Sequence, residues 1–175
     1  MLNKVIPGTQ NYYSSDDGFV NYKKMIELAD GISLSQLCNI TNLEPYVIQN
    51  WVKRGYVPHP INKKYYTNHL ARTLLINALR ECMYIEDIGS LLSYINGDVD
   101  DEKDDLISEE ELFKTFSSII YKLDDVNDVD LIINKEIKNS KLNKCIKAMV
   151  YAYISSVWAK KSKECLKNIE KKNEK

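Results

Sequence analysis

Glycine and proline are scarce in this 175-residue chain, six and four residues respectively. So few breakers argue against a strand-and-turn architecture and for a helix-rich one. Long apolar runs are missing too. The longest, "AMVYAYI", is far too short to span a bilayer, and "MLNKVIPGTQ" at the start has no signal-type apolar stretch. No membrane association is expected, and the expected location is the cytoplasm. The four cysteines, Cys38, Cys82, Cys145 and Cys165, form no CxxC pair. They read as reduced thiols rather than disulfides or a metal site. Cys145 and Cys165 fall on one expected helix, separated by roughly 30 Å along its axis, so they could converge only across a dimer. His59 and His69 have no nucleophile or acid beside them in sequence, which leaves no catalytic group and points away from an enzyme. No cofactor is expected.

What is present is unevenly spread. The apolar fraction of 44% suffices for a packed core, and the formal net charge is −1. Residues 44–80 nevertheless carry Lys53, Arg54, Lys63, Lys64, Arg72 and Arg80 against Glu44 alone. Residues 98–130 hold 13 acids and three lysines, and residues 160–175 seven lysines and three glutamates. A basic block, an acidic block and a basic tail are hidden by the overall balance.

The periodicity predicts an α-rich order of elements. A loose lead-in with one short helix over 20–29 occupies residues 1–32. Dense helix signals fill 33–96, an acidic linker covers 97–107, and a helical region, expected to serve dimerisation or regulation, occupies 108–175. In that last region Ser108 and Glu111 read as a capping box. Leu112, Phe113, Phe116, Ile119, Ile120 and Leu123 then share one helical face. A weaker helix is expected near 128–139. A long one from Lys141 carries the stripe Leu142, Ile146, Met149, Val150, Tyr153 and Val157. Its aromatic residues Tyr151, Tyr153 and Trp158 read first as core or dimer packing, and second as a site for a small-molecule or protein effector. "DVDDEKDDLISE" sets Asp98, Asp100, Glu102, Asp104 and Glu109 at calcium-loop spacing. Lys103 stands where that loop needs glycine, so a solvated linker is the reading.

The informative stretch is "LEPYVIQNWVKRGYVPHPINKKYY". On a helical wheel of about 100° per residue, Tyr46, Gln49, Asn50 and Lys53 point one way, and Val47, Ile48, Trp51 and Val52 the other. Pro45 suits the first turn and Gly55 the stop. "SLSQLC" supplies a preceding short helix and "NITN" a turn, which makes a helix-turn-helix with 45–54 as its recognition helix. The two prolines after it forbid helix, and "INKKYYT" suits a tight β-hairpin with Asn62 and Lys63 near its tip, a wing over 60–67. Gln49 and Asn50 have the paired donor and acceptor that read adenine edges in the major groove. Tyr46, Lys53, Arg54, Lys63, Lys64 and Tyr66 suit the phosphate backbone. The following "LARTLLINALRECMYIEDIGSLL" reads as two helices, the first with the stripe Leu70, Leu74, Leu75, Ala78 and Leu79, and with Arg72 and Arg80 largely off it.

This order of pieces resembles the DNA-binding domain of the MerR family over about residues 33–95. The chain is most similar to uncharacterised bacterial proteins that join such a head to a helical C-terminal region. The resemblance implies a mainly α fold with a MerR-like winged helix-turn-helix head and a small β-hairpin wing. It implies a dimeric, sequence-specific regulator of transcription bound to double-stranded DNA. The family's contacts fall on Tyr46, Gln49 and Asn50 in the helix and on Lys63, Lys64 and Tyr65 or Tyr66 in the wing. Gln49 stands where the family usually carries arginine, and an acidic linker replaces the direct run into a long dimerisation helix. Two other readings compete: a protein-interaction module working through the C-terminal helices, and an excisionase-like architectural DNA-binding factor.

Overall fold

The structure, a computed structural model, describes residues 5–12, 18–97, 99 and 105–173. Among these the chain is mainly helical: α1 Gly18–Leu28, α2 Leu34–Thr41, α3 Pro45–Lys53, α4 Thr67–Leu79, α5 Ile85–Asn96, α6 Glu109–Lys122, α7 Val129–Glu136 and α8 Ser140–Asn173. Antiparallel pairing among the described residues is confined to three isolated bridges, Val5–Tyr12, Ile32–Tyr65 and Ile61–Lys64. The expected hairpin over 60–67 is thus one turn closed by a single bridge, with Tyr65 bridged to Ile32 and no sheet among the described residues. No helix among the described residues is long and apolar enough to cross a membrane.

The helix boundaries follow local chemistry. Ser33 caps α2 through a capping box, its Oγ accepting from the Gln36 amide while the Gln36 side chain accepts from the Ser33 amide. α2 continues through Thr41, three residues into the stretch read as a turn, and stops where Asn42 enters the left-handed region at φ 53°. Asn tolerates that conformation because its short polar side chain bonds locally. α3 opens on Pro45, whose missing N–H is no loss in a first turn. Ser108 accepts from the Glu111 amide and starts α6, which is one half of the expected capping box. The stripe from Leu112 to Leu123 is fully buried, each such side chain contributing about 1.5–3 kcal/mol on transfer from water.

α4 organises the molecule. Nearly every side chain on it is buried, on all sides, because α1, α2, α5, α6 and α8 surround it. A helix apolar all round belongs in the centre, and its sequence shows this in the near-absence of charge between Thr67 and Leu79. The exception is Arg72. Expected off the apolar stripe and counted with the basic block, it is instead buried, 1% exposed. Its Nη1 is paired with Glu109 at the start of α6, and its Nε donates to the Tyr56 carbonyl at 2.9 Å. Glu109 also accepts from Asn96 Nδ2 at 3.4 Å. Asn96, the last residue of α5, is buried as well. Asp98, Asp100, Glu102 and Asp104 lie outside the described residues, and Glu109, the fifth member of that calcium-like spacing, is committed to Arg72.

Residues on either side of the acidic stretch share one hydrophobic core. Phe19 of α1 stacks on Phe113 of α6 with ring centroids 4.9 Å apart, and Lys23 pairs with Glu110 at 2.6 Å. Near the N-terminus, residues 5–12 form a strap across α4. Gly8 at φ 77° lies so close to the Leu74 carbonyl that any Cβ would strike it. Asn77 Nδ2 donates both to the Gly8 carbonyl at 2.8 Å and to the Thr41 carbonyl at 3.0 Å, joining strap, α4 and the end of α2.

Removing one partner of a buried pair strands the other charge. Glu109→Ala is expected to lower stability by about 3–5 kcal/mol in chemical denaturation, while Arg72→Met with Glu109→Leu restores much of the loss. A double variant as unstable as the single one would show that the pair is not the origin of the effect. The thiols should divide as well: burial pushes the Cys38 and Cys145 thiols up from their ordinary values, whereas Cys82 and Cys165 are exposed. Alkylation at pH 8 should therefore proceed in two fast and two slow equivalents.

Candidate nucleic-acid interface

α3 divides as its wheel predicts. Ile48, Trp51 and Val52 are buried, Ile48 completely, and Val47 is half-buried. Tyr46, Gln49, Asn50 and Lys53 are exposed together along the opposite edge, Tyr46 at 70%. The buried edge packs against the core that α4 and α2 supply, so the outward edge is held by a rigid inward one.

Beyond α3 the chain turns at Gly55 and reaches the hairpin. Ile61 and Lys64 exchange reciprocal backbone hydrogen bonds of 3.0 and 2.9 Å, and the two residues between them, Asn62 and Lys63, both have positive φ, 50° and 63°. That combination marks the type I′ turn, whose twist matches a two-residue hairpin. Tyr65 then exchanges bonds of 2.8 and 2.9 Å with Ile32, directly before the α2 cap. The hairpin is therefore tied to the entrance of α2. At its far side His69 Nδ1 accepts the Tyr66 amide at 3.0 Å, which assigns the ring proton to Nε2 facing the His59 carbonyl at 3.0 Å.

The expected contact residues fare differently. Tyr46, Gln49, Asn50, Lys53 and Lys63 are exposed, and Lys53 and Lys63 have no carboxylate partner among the described residues. Arg54 is exposed but engaged: Nη2 donates to Glu86 Oε1 of α5 at 2.7 Å and to the Tyr56 hydroxyl at 3.2 Å. The hydrogen bond from Arg54 holds the Glu86 carboxyl below its ordinary value. Lys64 Nζ reaches the Asp30 carbonyl at 2.7 Å and its Oδ2 at 3.0 Å. Tyr66 is half-buried. Tyr65 corrects the expectation most clearly: it is 4% exposed, lies edge-on to His69 at 5.5 Å, and props the hairpin from beneath rather than facing outward. Of the aromatic cluster on α8, Tyr153 is buried against Phe116 while Tyr151 and Trp158 face outward, so the three do not converge.

Sequence reasoning missed the supports of this face: Asn77, His69 and Arg72. Their signal was the position of polar residues inside an otherwise charge-poor helix, where each must find a partner. No cluster of three or more His, Cys, Asp or Glu that could hold a metal occurs among the described residues.

Lys63 occupies a conformation that suits glycine. Lys63→Gly is expected to stabilise the fold by about 1 kcal/mol by relieving left-handed strain, measurable as a raised midpoint in urea. A fall in stability would mean that the lysine side chain has a structural contact.

The chain is similar over 109 residues, at 31% identity, to "Uncharacterized protein YkrK" of Bacillus subtilis (strain 168). The match covers 60% of this chain and 46% of that protein, so this chain spans about half the length of that relative. No solved structure matches it. The family described as "Domain of unknown function (DUF1836)" matches residues 20–116, from α1 across the paired helices and the hairpin to Phe116 in α6, and the chain belongs to that family.

Proposed function

We propose that this protein is a sequence-specific double-stranded DNA-binding regulator of transcription with a MerR-like winged helix-turn-helix head. α2 and α3 form the helix-turn-helix, and the hairpin over 60–67 is its wing. The observation that carries the reading is the exposed polar edge of α3, followed along the chain by a type I′ turn with a lysine at its tip. A helix about 10–12 Å across fits a major groove about 12 Å wide, with the hairpin over the flanking backbone. Gln49 and Asn50 read base edges. Tyr46, Lys53 and Lys63 hold phosphates directly, whereas Arg54 and Lys64 do so after exchanging Glu86 and Asp30 for phosphate. Tyr66 is left with a marginal contact and Tyr65 with none.

The protein acts as a homodimer in this reading, because a single short helix reads too few base pairs for a specific site. A second reading, a protein-interaction module, draws on α8, where Trp158, Leu166 and Ile169 are exposed at 55–58%.

Selection from a random duplex pool, followed by a salt titration on the winner, separates the two. An enriched motif with inverted halves and a steep salt dependence supports the DNA reading. No enrichment together with salt-insensitive binding removes it. On the selected site, Asn50→Ala should lose discrimination between matched and mismatched sequences, by about 1–3 kcal/mol at one position. Lys63→Ala should weaken every duplex about equally and reduce the salt slope by about one. Identical behaviour of the two variants would contradict the division of roles.

A further inference from the structure

A cleft of about 400 Å³ opens beside α8. Its walls are the strap at 5–10, the C-terminal end of α4 and the middle of α8, and it reaches Thr41 and Asn42 at the end of α2. The volume lies within the range of small-molecule sites, roughly 300–1,000 Å³. Ser156 of α8 and Thr41, 2% and 1% exposed, contribute buried hydroxyl-bearing residues to the lining.

The cleft carries charges of both signs. Elsewhere Lys23, Arg54, Lys64, Arg72, Lys122 and Lys147 each rest on a carboxylate. Arg80 and Lys160, both lining the cleft, have no carboxylate partner among the described residues. Arg80 is oriented instead by the Trp51 ring, 5.8 Å from its guanidinium carbon, which leaves the planar fork of donors available. Glu81, Lys161 and Glu164 also line the cleft. A site with separate cationic and anionic groups suits a ligand bearing both an acid and a donor, and disfavours a polyanion.

We propose that this cleft binds a small metabolite carrying a carboxylate or phosphate together with an amine, and that its occupancy adjusts α3. The anionic end sits on Arg80 and Lys160, and the amine faces Glu81 or Glu164. Two physical links lead from the cleft to the outward edge of α3. Arg80 touches Trp51, the buried anchor of that helix, and Asn77 holds the Thr41 carbonyl at the end of α2. The coupling half of this proposal rests on the DNA-binding reading; the binding half does not.

The test uses the full-length protein carrying Trp158→Phe, so that Trp51 is the sole tryptophan reporter, with L-glutamate and O-phosphoserine as probes at constant ionic strength. The expected result is a saturable change in Trp51 emission with its midpoint below 1 mM. Arg80→Gln and, separately, the exposed Lys160→Gln should each shift that midpoint upward at least tenfold, with an unchanged far-ultraviolet circular dichroism spectrum. The probe with the lower midpoint identifies carboxylate or phosphate as the anion. No saturable response to either probe, a response reproduced by sodium chloride, or one indifferent to both substitutions overturns the site. With a selected duplex in hand, the better probe should change DNA affinity at least threefold. Saturation of Trp51 without such a change overturns the coupling. Absence of any DNA binding overturns the DNA reading alone, and the Trp51 titration still decides the site.

Discussion

A guanidinium in the centre of a helical bundle cannot be left without partners, and Arg72 imposes that constraint on everything around it. Its charge is met by Glu109, and its Nε by the Tyr56 carbonyl. Glu109 is the first residue of α6, beyond the acidic stretch, and Tyr56 follows the end of α3. One side chain on α4 thus fixes the position of α6 from one side and the exit of α3 from the other. Desolvating two charges is costly, and apolar residues of similar volume could pack as well. What the ion pair supplies is a particular register between helices, since few alternative packings could satisfy both groups.

The outward edge of α3 inherits its rigidity from this arrangement. Ile48, Trp51 and Val52 are locked into the core, and the chain leaving the helix is anchored through Tyr56. The hairpin is held separately, by its bridge to Ile32 and by the His69 ring beneath Tyr66. Two supports of different origin therefore hold a polar helix edge and a lysine-tipped turn. Preorganisation of that kind matters to a binding surface, because ordering loops on contact reduces affinity.

Charge on this face is less plentiful than a residue count suggests. Arg72 is internal, and Arg54 and Lys64 already rest on Glu86 and Asp30. Lys53 and Lys63 have no such competitor among the described residues. Lys63 is also the one that sits in a strained backbone conformation, where a glycine would relax the turn. A strained residue at an exposed tip is the pattern of a position kept for its side chain rather than for stability.

Local chemistry was legible in the residues themselves. The polar and apolar edges of α3, the Ser33 and Ser108 caps, the proline-bracketed break, the tight turn at Asn62 and Lys63, and the α6 and α8 stripes all follow from short-range periodicity and stereochemistry. These depend on neighbours within a few positions. The inward turn of Arg72, its pairing with Glu109, the burial of Tyr65, Asn96 and His69, and the carboxylates resting on Arg54 and Lys64 come from residues far apart in the chain. No local pattern specifies such partners; they are chosen only when α4 is enclosed on all sides and each polar group inside must be satisfied. The cleft beside Arg80 belongs with them, for it exists only where the strap, α4 and α8 meet.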